Sequence, residues 1–476
     1  MSSPEGHVHF KNKLLWTLGI LMLYFALANV PLFGLSSESI DLFEQYRAFF
    51  AGASGSLMLL GIGPIVTASI VLQLLTGADI IKLDMSDPRD QAFFQGAQKF
   101  LVFVMIVLTA LPQIVGGYIQ PDAGIAASLG VGLGVITFLI FLQICVGGVL
   151  ILFMDEIVSK WGIGSGVGLF IVAGVSQQIV TGLINWVPDS SGLPSGIIPK
   201  WFYIIQNVGA DYLFSGDGFM FILIQGGILA LITTVAIFFL VVYAESTRIE
   251  IPLAHSSVKG ARGRFPVKLI YASVLPMILV RALQANIQLI GLMLAGRGIT
   301  IFGEYSGSTP INGLMYYLAP INSPYDWIPS LVQETFTGYG VAAPELWQIG
   351  LHVLVDAFML IAGGIIFALF WIETTGMGAK PTARKVFNSG MQIPGFRRNI
   401  GSIEKVMDRY IPRVTIIGGA FIGALTLVAS LLGTIGGAGG TGLLLTVSIV
   451  YRLYEDIASE QMMEMHPMMR SFFGQE

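Results

Sequence analysis

The sequence predicts an all-α membrane protein with ten spans, and three observations carry that expectation. Of 476 residues, 54% are hydrophobic and 11% charged, less than half the charge of an ordinary soluble domain. Apolar runs of about 20 residues, the length that crosses a bilayer as a helix, recur along the chain. Lysine and arginine are shared very unequally between the stretches that join those runs. A soluble chain this apolar would aggregate through exposed patches, so lipid is the solvent that suits it.

The runs lie at about 14–33, 57–76, 99–118, 131–154, 163–184, 219–243, 268–292, 350–372, 412–433 and 441–457. They are too long for barrel strands, and a helix is the simplest way to pair backbone groups in lipid. The first run follows Lys11 and Lys13. It exceeds the roughly 7–15 residues of a signal-peptide core and ends at Pro31 and Gly34 without a small-residue cleavage site, so it reads as a retained span. With the N-terminus in the cytoplasm, 21 of the 25 lysines and arginines fall on the cytoplasmic side and three (Arg47, Lys200 and Arg297) on the other. That asymmetry orients the chain and predicts a multi-pass protein of the cell membrane with both termini in the cytoplasm.

The exoplasmic stretch 186–218 separates residues 1–185, holding five spans, from 219–476, holding five more. Odd-numbered halves run in opposite directions, so any structural repeat between them is inverted. The halves share no evident sequence identity, and the repeat is an architectural expectation only.

The most unusual stretch is Ala48 to Leu75, too long for one span and interrupted by Gly52, Gly55, Gly61, Gly63 and Pro64. Glycine and proline break helices. The expected result is a short exoplasmic half-helix, a Gly61-Ile-Gly-Pro64 hinge, and a membrane helix from about Ile65. Broken backbone at membrane depth is tolerated only against protein or water, so the segment should line a cavity; an ordinary proline kink is the competing reading. The glycine clusters at 162–168 and 433–442 lack the spacing and the Lys-Ser/Thr ending of phosphate loops, and both sit where a span begins, where small residues allow close helix packing.

Charge inside the spans is nearly absent, with Arg281 and Asp356 the clear exceptions beside neutral Gln73, Gln284, Asn286 and Gln288. Solute transporters bind their ions and substrates through such groups. A passage walled by Ile, Val and Leu blocks ions by dewetting and lets varied side chains through without holding any. A conduit for polypeptide is therefore favoured over an inverted-repeat solute transporter. No Ser-Lys, paired-Asp or His-Glu-His arrangement at membrane depth supports an intramembrane enzyme. The lone Cys145 sits in an apolar run, and His7, His9, His255, His352 and His466 have no convergent partners, so neither a metal nor a cofactor is expected.

Five motifs carry a family resemblance: Leu60-Gly-Ile-Gly-Pro-Ile-Val-Thr-Ala68, Trp161-Gly-Ile-Gly-Ser-Gly166, Ala244-Glu-Ser with Glu250-Ile-Pro-Leu-Ala-His255, Ala285-Asn-Ile-Gln288, and Gly440-Thr-Gly through Tyr451-Arg452. In this order and over nearly the whole chain they resemble the SecY family, in an archaeal form akin to the alpha subunit of the eukaryotic Sec translocon. The resemblance implies two five-helix inverted halves around a central hourglass pore that passes secretory polypeptides and releases hydrophobic segments sideways into lipid. It implies an apolar pore ring of Ile62, Val66, Val167, Ile171, Ile278 and Leu445. The pairs 62/66 and 167/171 each share a helical face.

The resemblance further implies a plug, a short helix over Phe49-Phe50-Ala51-Gly52-Ala53-Ser54-Gly55-Ser56-Leu57-Met58-Leu59, and a lateral gate between the second and seventh spans with Thr67 and Asn286 as polar gate residues. Two cytoplasmic loops, 245–268 with Lys259, Arg262 and Arg264, and 373–413 with Lys380, Arg384, Lys385, Arg397 and Arg398, hold thirteen basic residues. That is more than orientation requires and suits a docking surface for RNA or an acidic protein; by resemblance the partner is the ribosome, its RNA included. Arg397, in Pro394-Gly-Phe-Arg397, matches a recurrent loop arginine of the family. Other implied partners are a SecE-like (gamma) subunit, a small beta subunit, signal-bearing nascent chains and lipid, with transport driven by a ribosome or other motor rather than by catalysis in this chain. One residue departs from the family pattern: Arg281 stands a turn beyond Ile278, where a small or apolar residue is expected. It is expected to face the exoplasmic funnel or to pair with a partner.

Overall fold

Backbone amides in lipid pair within their own segment, and the ten apolar runs fold accordingly as helices. The computed structural model describes residues 8–36, 39, 47–77, 80–81, 83, 87–188, 192–207, 215–255, 262–270, 272, 274–392 and 399–465. Its long helices are α1 (Phe10–Ala28), α2 (Gly63–Gly77), α3 (Pro88–Val115), α4 (Leu133–Trp161), α5 (Gly166–Ile184), α6 (Ile228–Ser246), α7 (Leu275–Gly296), α8 (Leu346–Thr374), α9 (Ile400–Leu432) and α10 (Gly439–Met465). Among the described residues, eight of these are long and apolar enough to cross a bilayer. The other two are α2 and α10. With 15 residues, α2 reaches about 22 Å against a hydrocarbon core of about 30 Å. The 27-residue α10 carries Arg452, Glu455 and Asp456 in its later turns.

Helix ends follow local chemistry. At the start of α3, Pro88 occupies the first turn and the Asp87 carboxylate accepts from the Arg89 amide at 2.9 Å, two devices that suit the unpaired N–H groups there. The ninth span begins at Ile400, well before the apolar run, because the Asn399 side chain caps it through the Gly401 amide at 3.1 Å. The sixth run, expected over 219–243, is split: a short helix Gly216–Leu223 ends, Gly227 turns at φ +74°, and α6 starts at Ile228. Only glycine takes that backbone region freely. The seventh begins at Leu275 rather than near 268, since Lys268 ends a strand and Pro276 lies in the first helical turn.

The two basic loops add a sheet. Strand β1 (Arg248–His255) pairs antiparallel with β2 (Arg262–Lys268), in register from Arg248 opposite Lys268 to Ala254 opposite Arg262. The connection between α7 and α8 carries a small ribbon of β3 (Tyr305–Ser306) and β4 (Thr309–Pro310). Strand β5 (Met391–Gln392), from the second basic loop, joins the free edge of β1. The sheet order is β2-β1-β5, so the two basic loops are one structure. A small core of its own, including Ile251, Val267, Ile372, Val386, Met407 and Ile411, seats this sheet on the adjoining ends of α8 and α9. Most remaining buried apolar side chains form one large cluster that runs through both halves.

Candidate pore and gate

The interrupted second segment is not a helix over 49–59. One helical turn, Arg47–Phe50, is followed by turns and bends up to Gly63. Glycine explains the path: Gly61 takes φ +53°, and a Cβ there would lie 2.0 Å from the Phe50 carbonyl oxygen. The close approach is used, because the Ile62 amide donates to that oxygen at 2.7 Å. Ala51 holds φ +50°, an uncommon conformation outside glycine, and its carbonyl accepts from the Tyr24 hydroxyl at 2.8 Å. Further along, the Leu57 amide donates to Val30 O and the Leu32 amide to Gly55 O. Phe50, Ala51, Ser56, Met58 and Leu59 are buried, and the Arg47–Phe50 turn packs on α5 and α10. The segment fills the depth that the short α2 leaves empty. Beyond it lies a cavity of about 660 Å³, with Arg47, Gln177, Gln178, Thr181 and Asn185 among its polar lining.

Of the six residues matched to the pore ring, Ile62, Val66, Ile171, Ile278 and Leu445 are buried members of the large apolar cluster, and half-buried Val167 packs against it. They come from four elements: the hinge with α2, then α5, α7 and α10. Val167 is set by Asp155, whose carboxylate accepts from its amide at 2.8 Å in the first turn of α5. Arg281, one turn beyond Ile278, is tied to a partner. Its guanidinium is 1% exposed and pairs with Asp356 of α8 at 3.0 Å.

Thr67 on α2 and Asn286 on α7 meet directly: Asn286 Nδ2 donates to Thr67 Oγ1 at 3.2 Å. Each is also tied to its own helix, Thr67 Oγ1 to Gly63 O at 2.9 Å and Asn286 Nδ2 to Ala282 O at 2.8 Å. The bond therefore crosses the line where residues 1–185 meet 219–476. A second contact crosses the same line nearer the C-terminal end of α7, where the Tyr118 hydroxyl donates to Leu292 O at 2.7 Å. Burial pushes the Tyr118 and Tyr305 phenols up, so both remain neutral donors; Tyr305 bonds Gln288 of α7. Sequence reasoning missed Tyr118, which lies just past the end of α3 with only flanking glycines to mark it. Toward the C-terminal end of α2 the line opens into a pocket of about 360 Å³ between Ser69 and Gln73 of α2, Gln95 and Gln98 of α3, and Trp371 and Thr374 of α8. Gln91, Gln95 and Gln98 share a face of α3 by their spacing, a signal that was present in the sequence.

Arg262 and Arg264 lie on β2, whereas Lys259, Arg397 and Arg398 fall outside the described residues. Arg248 and Lys268, at the base of the hairpin, both pair with Glu455 of α10.

Comparison with known proteins decides the family. The family model SecY matches residues 56–454, and one described as the plug domain of Sec61p matches residues 22–55. The chain belongs to the SecY family. The protein translocase subunit SecY of Archaeoglobus fulgidus is 62% identical, over 99% of this chain and 96% of that one. That of Methanocaldococcus jannaschii is 39% identical, over 98% and 94%. Among solved structures, a protein-conducting channel superposes with a TM-score of 0.78 at 38% identity, covering 98% of this chain and 96% of that one. Sec61 in a canine ribosome–channel complex gives 0.75 at 38% identity, over 98% and 96%. With these relatives matched over nearly their whole length, the chain is the pore-forming subunit of a protein translocase, a multi-pass membrane channel. Nothing in these likenesses supports a solute transporter.

Proposed function

We propose that the described conformation is the closed channel, and that its parts act as follows. Ile62, Val66, Val167, Ile171, Ile278 and Leu445 form the pore ring; residues 49–59 form the plug above it; Thr67 and Asn286 fasten the lateral gate. Ten spans in two inverted halves, 1–185 and 219–476, hinge about 186–218, in the cell membrane with both termini cytoplasmic. A nascent chain bearing a signal sequence displaces the plug and parts α2 from α7, and its apolar helix replaces the Thr67–Asn286 contact on the way into lipid. The basic loops, Lys259, Arg262, Arg264, Arg397 and Arg398 among their residues, dock the ribosome through charge, with ribosomal RNA as the natural polyanion. SecE-like and beta subunits complete the complex, and the motor supplies the energy, so the chain itself catalyses no reaction.

The Asn286–Thr67 hydrogen bond across the two halves carries this reading. The test is a cysteine pair at positions 67 and 286. Crosslinked, it should block release of a signal-bearing chain into lipid and its translocation, and reduction should restore both. Translocation that continues through the crosslink would remove the gate from this seam.

A further inference from the structure

Arg281 and Asp356 are two charges deep within the described spans, and each is sealed away from solvent, at 1% and 0% exposure. The guanidinium bonds side chains from four helices. On α7, its Nη1 donates to Gln284 Oε1 at 2.8 Å; on α8, the same nitrogen donates to Asp356 Oδ1 at 3.0 Å. Its Nε donates to Thr441 Oγ1 on α10 at 3.1 Å, and its Nη2 to Ser430 Oγ on α9 at 3.5 Å. Gln284 Nε2 closes the loop onto Asp356 Oδ1 at 3.0 Å.

The position of this cluster is informative. Arg281 lies one turn beyond Ile278 on α7, and Thr441 one turn before Leu445 on α10. Those helices run in opposite directions, so both steps lead to the same side of the ring. The cluster sits one helical turn along from the two ring residues of the second half, on that side of the ring, and joins their helices. Apolar contacts alone permit a helix to slide or rotate, because dispersion has little directionality. A planar guanidinium with five donors in fixed directions does not. A buried ion pair adds little to stability compared with apolar residues of similar size, and its best-attested use is to fix one arrangement.

Resting on the pore and gate reading above, we propose that Arg281 and Asp356, with Gln284, Ser430 and Thr441, are positioning residues. They hold Ile278 and Leu445 at the ring and make α7 travel with α8, α9 and α10 when it parts from α2. The charge of Arg281 stays out of the pore only while Asp356 holds it.

The test uses the whole channel with its partner subunits in planar bilayers, reading resting ion conductance and, in cells, export of a reporter with a weakened signal sequence. Asp356→Asn leaves the guanidinium uncompensated a turn from the ring. It should raise the resting leak about tenfold, a coupling of ordinary size, and admit the weak-signal reporter. Arg281→Gln/Asp356→Asn, neutral on both sides, should return the leak to within about twofold of the unaltered channel. If Asp356→Asn does not accumulate, Arg281→Lys carries the measurement, since it keeps the charge and loses the fork; it should leak too. Ile62→Asn serves as the control. A leaking control beside sealed Asp356→Asn and Arg281→Lys channels, merely lower in thermal stability, would overturn the positioning role alone. So would a double variant that leaks as much as the single one. A control that stays sealed would overturn the pore assignment and the positioning role with it.

Discussion

On the proposed reading, the two halves hold their shares of the apolar ring by different physics. In residues 1–185, Ile62 is placed by backbone meeting backbone: its amide bonds Phe50 O, and the glycine before it leaves no room for a Cβ. Val167 is placed by a helix-start carboxylate. In residues 219–476, Ile278 and Leu445 are backed by a buried polar cluster that ties four helices together. The first arrangement can come apart by moving one short segment. The second moves only as a block. An asymmetric gate, with one pliant side and one rigid side, is the natural outcome.

The largest effect expected is at the ring itself. Ile62→Asn and Ile278→Asn, singly and together, should raise the resting conductance of the closed channel, the pair more than about tenfold, because a wetted constriction no longer excludes ions. Single-channel recording decides, and unchanged conductance in the pair would remove these residues from the ring. If the halves differ as described, Ile278→Asn should leave plug accessibility unaltered, whereas Ile62→Asn should increase it.

Gly61→Ala tests the pliant side. It combines a positive φ with a 2.0 Å approach to Phe50 O, and should destabilise the seated plug by more than about 2 kcal/mol. Protease or thiol-reagent access at Ser54 would report it, and a plug as protected as before would show that the turn at 61 is not what seats it.

Smaller effects belong to the seam. Thr67→Val and Tyr118→Phe each remove one hydrogen bond between the halves, worth about 1 kcal/mol, or roughly fivefold in the closed-to-open ratio. Additive effects in the double variant would mean two independent fasteners; a strong coupling would mean that the seam closes as one unit. The smallest change expected is a gain: Ala51→Gly relieves a left-handed backbone and should steady the closed state by about 1 kcal/mol, seen as a lower resting leak.

Much of this was legible in the sequence. Apolar length and the distribution of lysine and arginine located the ten helices, and the Gly61-Ile-Gly-Pro64 run marked the break in the second. What escaped had no local signature. The plug was expected as a helix, but Ala51 to Ile62 follows turns because its glycines are used at positive φ and in close contact, which composition alone does not distinguish. The sixth run was expected unbroken over 219–243, but Gly227 takes φ +74° and splits it. The partner of Arg281 lies on another helix, Asp356, and only folding brings them together. Thr67 and Asn286 stood out through motif resemblance, whereas Tyr118, equally placed across the seam, belongs to no motif quoted above.

The strand Met391–Gln392 is only two residues long, yet it changes what the two basic loops can do. By stitching the second basic loop to the hairpin of the first, it turns two tethers into a single handle bolted to α8 and α9. Anything that grips this handle takes hold of one side of the seam and leaves the other free. A pull on it is therefore a torque between the halves, and the force that delivers a polypeptide to the mouth is also suited to prise the side wall open.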